Sequence, residues 1–217
     1  MDQHSTTEMF FESFCRGIRR VSEMSSWLCP GQVVGAEVGV HKGINAEKFL
    51  EGNPRLHLHL VDLWELHAAE QTAYLRNPKD VTAKGMQSAE YGLACREETE
   101  KRVERFHPRY TILRMSSAEA ATNFQDGFLD FVYIDAGHQY ENCRDDIRTW
   151  IVKVRVGGYV CGHDYSSKKN PGVRRAVDKF AHATGLQLRT NKHKYSDWVV
   201  GPIADNTAEE LVRNWEE

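Results

Sequence analysis

The sequence predicts an α/β fold, in which helices cover both faces of a mostly parallel central sheet. Three observations lead to this class. Apolar, strand-like runs alternate with helical segments, glycines follow the first strand, and acidic residues stand at the ends of four strands. Strands that alternate with helices form right-handed βαβ units and hence parallel sheets. A length of 217 residues suits one domain with a full core.

Composition and charge limit the partners of this domain. The net charge of −3 is too small for binding to nucleic acid or a membrane surface through gross charge. No apolar run approaches the roughly 20 residues that span a bilayer, and "MDQHSTTEMF" lacks the cationic and apolar regions of a secretory signal. The five cysteines form no CxxC pair, which is typical of reduced thiols. We expect a cytoplasmic protein that binds neither nucleic acid nor membranes.

The first predicted element is an amphipathic helix near the N-terminus. Apolar side chains recur on one stripe of the stretch "EMFFESFCRGIRRVSEMSSWL", namely Phe10, Phe14, Ile18 and Val21. We therefore divide the chain into an N-terminal helical extension, residues 1–30, and a main domain, residues 31–217.

The main domain opens with a strand that turns into a helix at glycines. The stretch "VVGAEVGVHKGINAEKFL", residues 33–50, begins with an apolar run that suits a buried strand. It ends with Phe49 and Leu50 at helical spacing from Ala46. Gly39 and Gly43 lie between the two elements, where they permit a tight turn and let another group approach the backbone closely.

Four further strands and two further helices follow along the chain. Apolar runs predict the strands at "LHLHLVDLW" (56–64), "YTILRM" (110–115), "FLDFVYIDA" (128–136) and "GGYVCGHDY" (157–165). The helices are "NCRDDIRTWIVKV" and "PGVRRAVDKFAHATG", the second with proline at its start and glycine at its end. The stretches "LQLRT" and "DWVVG" predict a closing pair of strands.

The interval from about 65 to 109 is a predicted helical or lid insertion. Within it, "REETEKRVER", residues 96–105, places opposite charges four residues apart, which is typical of a solvated helix face. The preceding stretch is long for a connection in a compact domain, and such insertions are lids or passive loops. The sequence leaves these two interpretations open.

The acidic residues at the strand ends indicate a binding site. Glu37, Asp62, Asp135 and Asp164 each stand at or just past the carboxyl end of a predicted strand. In open α/β sheets, ligands bind outside this edge, where the strand order reverses. A single carboxylate there is an ordinary cap, but four on one edge repel each other and favour a cation, hydroxyl groups or a metal.

The first of these acids belongs to a recognisable signature. The run from Glu37 through Gly39 to Gly43 resembles the E/D-x-G-x-x-x-G motif of class I S-adenosylmethionine-dependent methyltransferases, whose fold is Rossmann-like with an antiparallel C-terminal strand. The resemblance implies that the glycine turn holds the methionine part of the cofactor and that Asp62 accepts hydrogen bonds from the ribose. It also implies that Trp64 flanks the adenosine and that Ser117 contacts the adenine. Packing in the core explains Trp64 equally well, and helix capping explains Ser117.

A second block extends the resemblance to residue 200. The stretches "FVYIDAGHQYENCRDDIRTW" and "GGYVCGHDYSSKKNPGVRRAVDKF" are similar to the small-molecule branch of that superfamily, in particular the metal-dependent sugar and antibiotic O-methyltransferases. In those relatives, the positions of Asp135, His163 and Asp164 bind a divalent metal such as Mg, Mn or Fe. His163 stands where relatives carry a carboxylate, and imidazole favours manganese, iron or zinc over magnesium.

The expected function is methyl transfer from S-adenosylmethionine to a hydroxyl or amine of a small molecule. The acceptor must lose a proton. Either a metal bound at Asp135 assists this deprotonation, or His138 takes the proton as the general base. Two alternatives remain open: a catalytically silent protein that binds the cofactor or a partner, and a metal-dependent oxygenase with Asp135, His163 and Asp164 as its iron ligands. The sequence does not decide between a monomer and a homo-oligomer.

Overall fold

The described residues form one seven-stranded sheet with helices packed around it. The computed structural model describes residues 32–64, 89–166, 168, 170–190, 197–205, 211 and 215. The strands are β1 (Val33–Val38), β2 (Leu56–Val61), β3 (Tyr110–Leu113), β4 (Leu129–Ile134), β5 (Val154–Gly162), β6 (Leu188–Thr190) and β7 (Trp198–Val200). Their order is β3-β2-β1-β4-β5-β7-β6; β1 to β5 are parallel, and β7 is antiparallel to both of its neighbours. The predicted α/β fold with an antiparallel C-terminal strand is confirmed.

Five α-helices and one 3₁₀ turn (Glu104–Phe106) connect the strands in the described ranges. The helices are α1 (Ile44–Gly52), α2 (Ala89–Val103), α3 (Ser117–Ala121), α4 (Tyr140–Ile151) and α5 (Pro171–Thr184). Proline starts α5, and Gly185 ends it in the left-handed conformation at φ 65°, as the sequence predicts. None of the described helices is long and apolar enough to cross a bilayer.

The core consists of two clusters, one on each face of the sheet. The central strand β4 is buried along its whole length, so its side chains alternate between the clusters. Phe131 and Tyr133 pack with α1 and α2, whereas Val132 and Ile134 pack with α4 and α5. Helices therefore cover both faces, and the carboxyl ends of β1, β2, β4 and β5 meet at one edge.

Two elements differ from the sequence prediction. The strand β5 begins at Val154 rather than at Gly157 and ends before His163. The glycines lie inside it at an irregularity of the pairing with β4, where Gly157 has a φ of 79°, so they mark a bulge rather than a turn. The helix α2 is not only a solvated face, because Cys95, Thr99 and Val103 are buried on one side of it.

The domain boundaries stay predictions. The N-terminal helical extension, residues 1–30, lies outside the described residues, as does the stretch of the insertion from 65 to 88. The described remainder of the insertion is helical and packs against α1, where Arg102 binds Glu47 at 3.0 Å. The pair Glu98–Arg102, which the charge spacing predicts, has a separation of 2.7 Å.

Candidate functional site

The loop between β1 and α1 has a conformation that requires glycine at two positions. Gly39 has a φ of 90° and Gly43 a φ of 72°, in the region that side chains disfavour. A Cβ atom on Gly39 would overlap the backbone carbonyl of Asp135. The group that approaches Gly39 is thus the end of β4, and the glycine signature serves the packing of the loop as well as any ligand.

Asp62 holds this loop in place. Its Oδ2 accepts hydrogen bonds from the amides of Val40, at 2.9 Å, and His41, at 2.8 Å. Its Oδ1 accepts a third bond from the amide of Trp64 at 2.6 Å. The carboxylate expected to bind the ribose therefore lies at the carboxyl end of β2, beside the glycine loop, with its orientation fixed by backbone amides. Contact with the ribose remains a prediction.

Trp64 and Ser117 are tied to their own surroundings. The Trp64 side chain is 4% exposed, and its indole Nε1 donates to the carbonyl of His41 at 2.8 Å, which favours the interpretation as a core residue. The Ser117 hydroxyl donates to Asp146 at 2.5 Å and accepts from the indole of Trp150 at 2.9 Å. Ser116, not Ser117, is the N-cap of α3. Contacts of Trp64 and Ser117 with the adenosine stay predictions.

Glu37 is a buried acid with an orphaned oxygen. It is 1% exposed, and its Oε2 has no hydrogen-bond partner in the described part of the chain. Burial, together with the charges of Asp135 and Asp62, raises the pKa of this carboxyl well above its usual range. A cation or a hydrogen-bond donor next to it would relieve this cost, so the residues present fit a ligand that carries a sulfonium and an ammonium group.

A second cluster of side chains lies at the ends of β4 and β5. His138 Nε2 lies 2.9 Å from Asp164 Oδ2, and the Asn170 amide donates to the same oxygen at 2.8 Å. His163 Nδ1 lies 3.6 Å from Asp164 Oδ1 and 3.8 Å from Asp135 Oδ1. The backbone of Asp164 has a φ of 64°, a strained conformation that is most common at functional sites.

The two carboxyls of this cluster differ in their tendency to ionise. Burial raises the pKa of Asp135 to about 6; the charge of Asp164 acts in the same direction, while His163 and His138 oppose it. Burial also disfavours ionisation of Asp164, but the hydrogen bonds from His138 and Asn170 and the nearby imidazoles outweigh it and lower its pKa. The cluster therefore pairs a carboxyl group that ionises readily, Asp164, with one whose ionisation burial disfavours, Asp135.

Three of these side chains could hold a metal ion. One atom each of Asp135, His138 and Asp164 lies within 4.8 Å of the others, and imidazole with carboxylates suits manganese or iron. The predicted ligand set contained His163 in place of His138. The structure brings His163 to the same carboxylates at longer distances, so the metal ligands, like the catalytic roles of His138 and Asp135, remain predictions.

The sequence interpretation missed the part of the site that α2 supplies. The Tyr91 hydroxyl lies 2.8 Å from His41 Nε2, and the Thr99 hydroxyl donates to the His41 carbonyl at 3.0 Å. A signal was present: Cys95, Thr99 and Val103 recur every four residues, which marks a buried stripe on a helix otherwise rich in charge. The charges of the stretch 96–105 concealed it.

Solved structures of low sequence identity share this architecture. A protein from Corynebacterium glutamicum matches with a TM-score of 0.56 at 10% identity, over 94% of this chain and 80% of its own. Spermidine synthase from Thermotoga maritima matches with 0.55 at 13% identity, over 94% and 65%. An O-methyltransferase family protein from Burkholderia thailandensis matches with 0.51 at 13%, over 80% and 52%. These likenesses show the fold.

The sequence itself was compared with family models and with curated proteins. No curated protein gave a significant match. A family model described as a methyltransferase domain matches residues 36–165, more than half of the chain, and this range includes the glycine loop, Asp62 and the cluster at β4 and β5. The chain therefore belongs to this family of methyltransferase domains and is an S-adenosylmethionine-dependent methyltransferase.

Proposed function

We propose that the chain transfers the methyl group of S-adenosylmethionine to a hydroxyl of a small molecule. The observation that carries the proposal is the cluster of Asp135, His138 and Asp164 beside the glycine loop. A hydroxyl is a poor nucleophile until its proton leaves, and this cluster contains groups that can accept a proton or hold a metal. Glu37, on the same edge of the sheet, has a buried oxygen without a hydrogen-bond partner in the described residues, which favours a methyl donor that carries a positive charge.

The chain's own residues would divide the work between two halves of the site. Gly39, Gly43 and Asp62 would hold the methionine and ribose parts of the cofactor, which supplies an activated methyl group when bound. Asp135, His138 and Asp164 would orient the acceptor. Orientation and close approach can supply roughly 7–11 kcal/mol of barrier reduction in such a displacement, so the base is needed only for the proton.

Two ways of removing the proton fit the geometry. In the first, His138 accepts it while Asp164, 2.9 Å from Nε2, orients the ring and stabilises the imidazolium. In the second, Asp135, His138 and Asp164 would hold a divalent metal, which would supply Lewis acidity to make the acceptor hydroxyl easier to deprotonate. His163 belongs to the second scheme if it replaces or joins His138 as a ligand.

Cofactor binding is the first test. At a concentration of 100 times its Kd, S-adenosylhomocysteine should stabilise the fold by about 2.7 kcal/mol, which a thermal shift assay detects. A pyrimidine nucleotide, which lacks both the adenine and the methionine part, serves as the control ligand. Absence of any shift in the parent protein would reject the proposed transfer to a hydroxyl and would favour one of the two alternatives, a catalytically silent family member that binds a partner or an iron- and oxygen-dependent oxygenase.

The second test separates the two schemes. Methyl transfer from labelled S-adenosylmethionine to a panel of sugars, phenols and aliphatic alcohols is measured with and without a chelator. A base role for His138 predicts that His138→Ala slows turnover by roughly 10²–10⁴ and that chelation has no effect. A metal role predicts loss on chelation, recovery with Mn²⁺, and loss of Mn²⁺ binding by calorimetry in Asp164→Ala. The variant His182→Ala, on the exposed surface of α5, is the matched control.

A further inference from the structure

The helix α2 contacts the glycine loop at a residue with a strained backbone. His41 has a φ of 53°, a conformation that residues other than glycine rarely adopt and that persists only when its surroundings enforce it. Its amide donates to Asp62 at 2.8 Å. Any group that fixes the backbone of His41 therefore also fixes its amide against the carboxylate expected to meet the ribose.

Two buried donors converge on the carbonyl of His41. Trp64 Nε1 donates to it at 2.8 Å and Thr99 Oγ1 at 3.0 Å. Thr99 is fully buried, and its hydroxyl also lies 2.9 Å from the carbonyl of Cys95. The hydroxyl has a single proton, so the carbonyls of His41 and Cys95 share it in a bifurcated hydrogen bond. The second contact is ordinary for a threonine inside a helix, but the first crosses 58 residues of sequence to reach the loop.

The absence of a side chain at Gly43 lets α2 come this close. A Cβ atom on Gly43 would lie 2.9 Å from Thr99 Cγ2 and 3.0 Å from Thr99 Cα. The second signature glycine thus leaves room for Thr99. Tyr91 lies about two turns before Thr99 in α2, and its hydroxyl is 2.8 Å from Nε2 of the His41 ring.

We propose that Thr99 is a positioning residue for cofactor binding, acting through the His41 carbonyl. The inference rests on the proposed use of S-adenosylmethionine. Thr99 and Trp64 hold the carbonyl of His41 and so restrict the backbone of that residue. The amide of His41, on the other side of its Cα, then stays directed at Asp62 and helps to orient the carboxylate expected to meet the ribose. A residue outside the glycine signature thereby contributes to the affinity for the cofactor without touching it.

The chain offers a matched control for this hydroxyl. Thr184 in α5 is buried, and its hydroxyl donates to the Phe180 carbonyl four residues earlier at 2.9 Å, as Thr99 does to Cys95. Both threonines thus make the same bond within their helices, and of the two only Thr99 reaches the glycine loop among the contacts described. The variants Thr99→Val and Thr184→Val remove equivalent hydroxyls at nearly constant volume.

The experiment measures the Kd for S-adenosylhomocysteine by calorimetry and the melting temperature of each variant. Thr99→Val should weaken binding about threefold to tenfold, as expected for one lost hydrogen bond, and Thr99→Ser should restore the Kd to within twofold of the parent. Thr184→Val should lower the melting temperature to a similar extent and leave the Kd unchanged. Should Thr99→Val not fold, Thr99→Ala, which also lacks the hydroxyl, should weaken binding to the same extent.

Each outcome bears on a different claim. A Kd for Thr99→Val within twofold of the parent overturns the positioning role, as does an equal loss of affinity in Thr184→Val, because the effect would then follow stability. If Thr99→Val is unfolded, an unchanged Kd in Thr99→Ala overturns it. Failure of the parent itself to bind S-adenosylhomocysteine rejects the proposed function, and the role of Thr99 with it.

Discussion

His59 makes the stability of the fold dependent on pH in a way that one substitution should remove. It lies on β2, with the His57 ring 5.0 Å away and the Phe124 ring in edge contact at 4.8 Å. Its Nδ1 is buried and has no hydrogen-bond partner within the described ranges. Burial, and secondarily the charge of His57, lowers the pKa of His59 from 6.5 to about 4.

The sign of the effect follows from this direction. The unfolded chain binds a proton at His59 near pH 6.5, whereas the folded chain resists it down to about pH 4. Stability attributable to His59 is therefore fully present above pH 6.5 and is lost as the pH falls from 6.5 towards 4. A pKa change of this size corresponds to roughly 3.4 kcal/mol for a fully buried group, and the partial exposure of the ring reduces our expectation to about 1–2 kcal/mol.

The assay is urea unfolding of the parent and of His59→Leu at pH 8 and pH 5. Between these values the parent should lose about 1–2 kcal/mol more unfolding free energy than the variant, since leucine is apolar at both. The variant His182→Leu, at an exposed position of α5, controls for the loss of a histidine as such. Parallel losses in the parent and in His59→Leu would refute the assignment of a buried, neutral imidazole.

Three further substitutions test other parts of the structure. Asp130→Ala removes the carboxylate that lies 2.8 Å from the half-buried Arg155 and accepts from the Val34 amide, and it should reduce the unfolding free energy by about 1.5–3 kcal/mol; a loss below 0.5 kcal/mol in urea unfolding would contradict this. Gly39→Ala should prevent cofactor binding and destabilise the fold, because its Cβ overlaps the Asp135 carbonyl; normal calorimetric titration would count against it. Asp62→Ala should weaken S-adenosylhomocysteine binding at least tenfold, and an unchanged Kd would exclude its role.

The strands and the glycine turn could be predicted because their signals are local. Apolar runs of the right length define β1 to β5, and proline and glycine mark both ends of α5. The parallel order then places Asp62, Asp135 and Asp164 on one edge, whatever the side chains do in detail. This part of the candidate site follows from topology alone.

The remaining part depends on contacts between distant segments. The bond from Thr99 to His41 joins residues 58 positions apart, and no local pattern encodes it. The prediction placed His163 beside Asp164, whereas His138 lies closer to it in the structure. This difference has a similar origin, because side-chain rotamers and the left-handed backbone of Asp164 decide which imidazole comes closer. Sequence motifs assign residues to an edge of the sheet, but side-chain packing decides which of them meet.

The four acidic side chains at this edge differ in how well their negative charges are compensated, and this difference bears on the binding of a cation. Asp62 accepts hydrogen bonds from three backbone amides. Asp164 accepts a hydrogen bond from Asn170 and contacts the imidazole of His138. Glu37 and Asp135 lie between them, and burial raises the pKa of both. The contacts thus fix the orientation of Asp62 and Asp164, whereas Glu37 and Asp135 remain costly to ionise. A sulfonium beside those two acids would favour their ionised forms, so the binding of a cationic methyl donor and the ionisation of the site are linked.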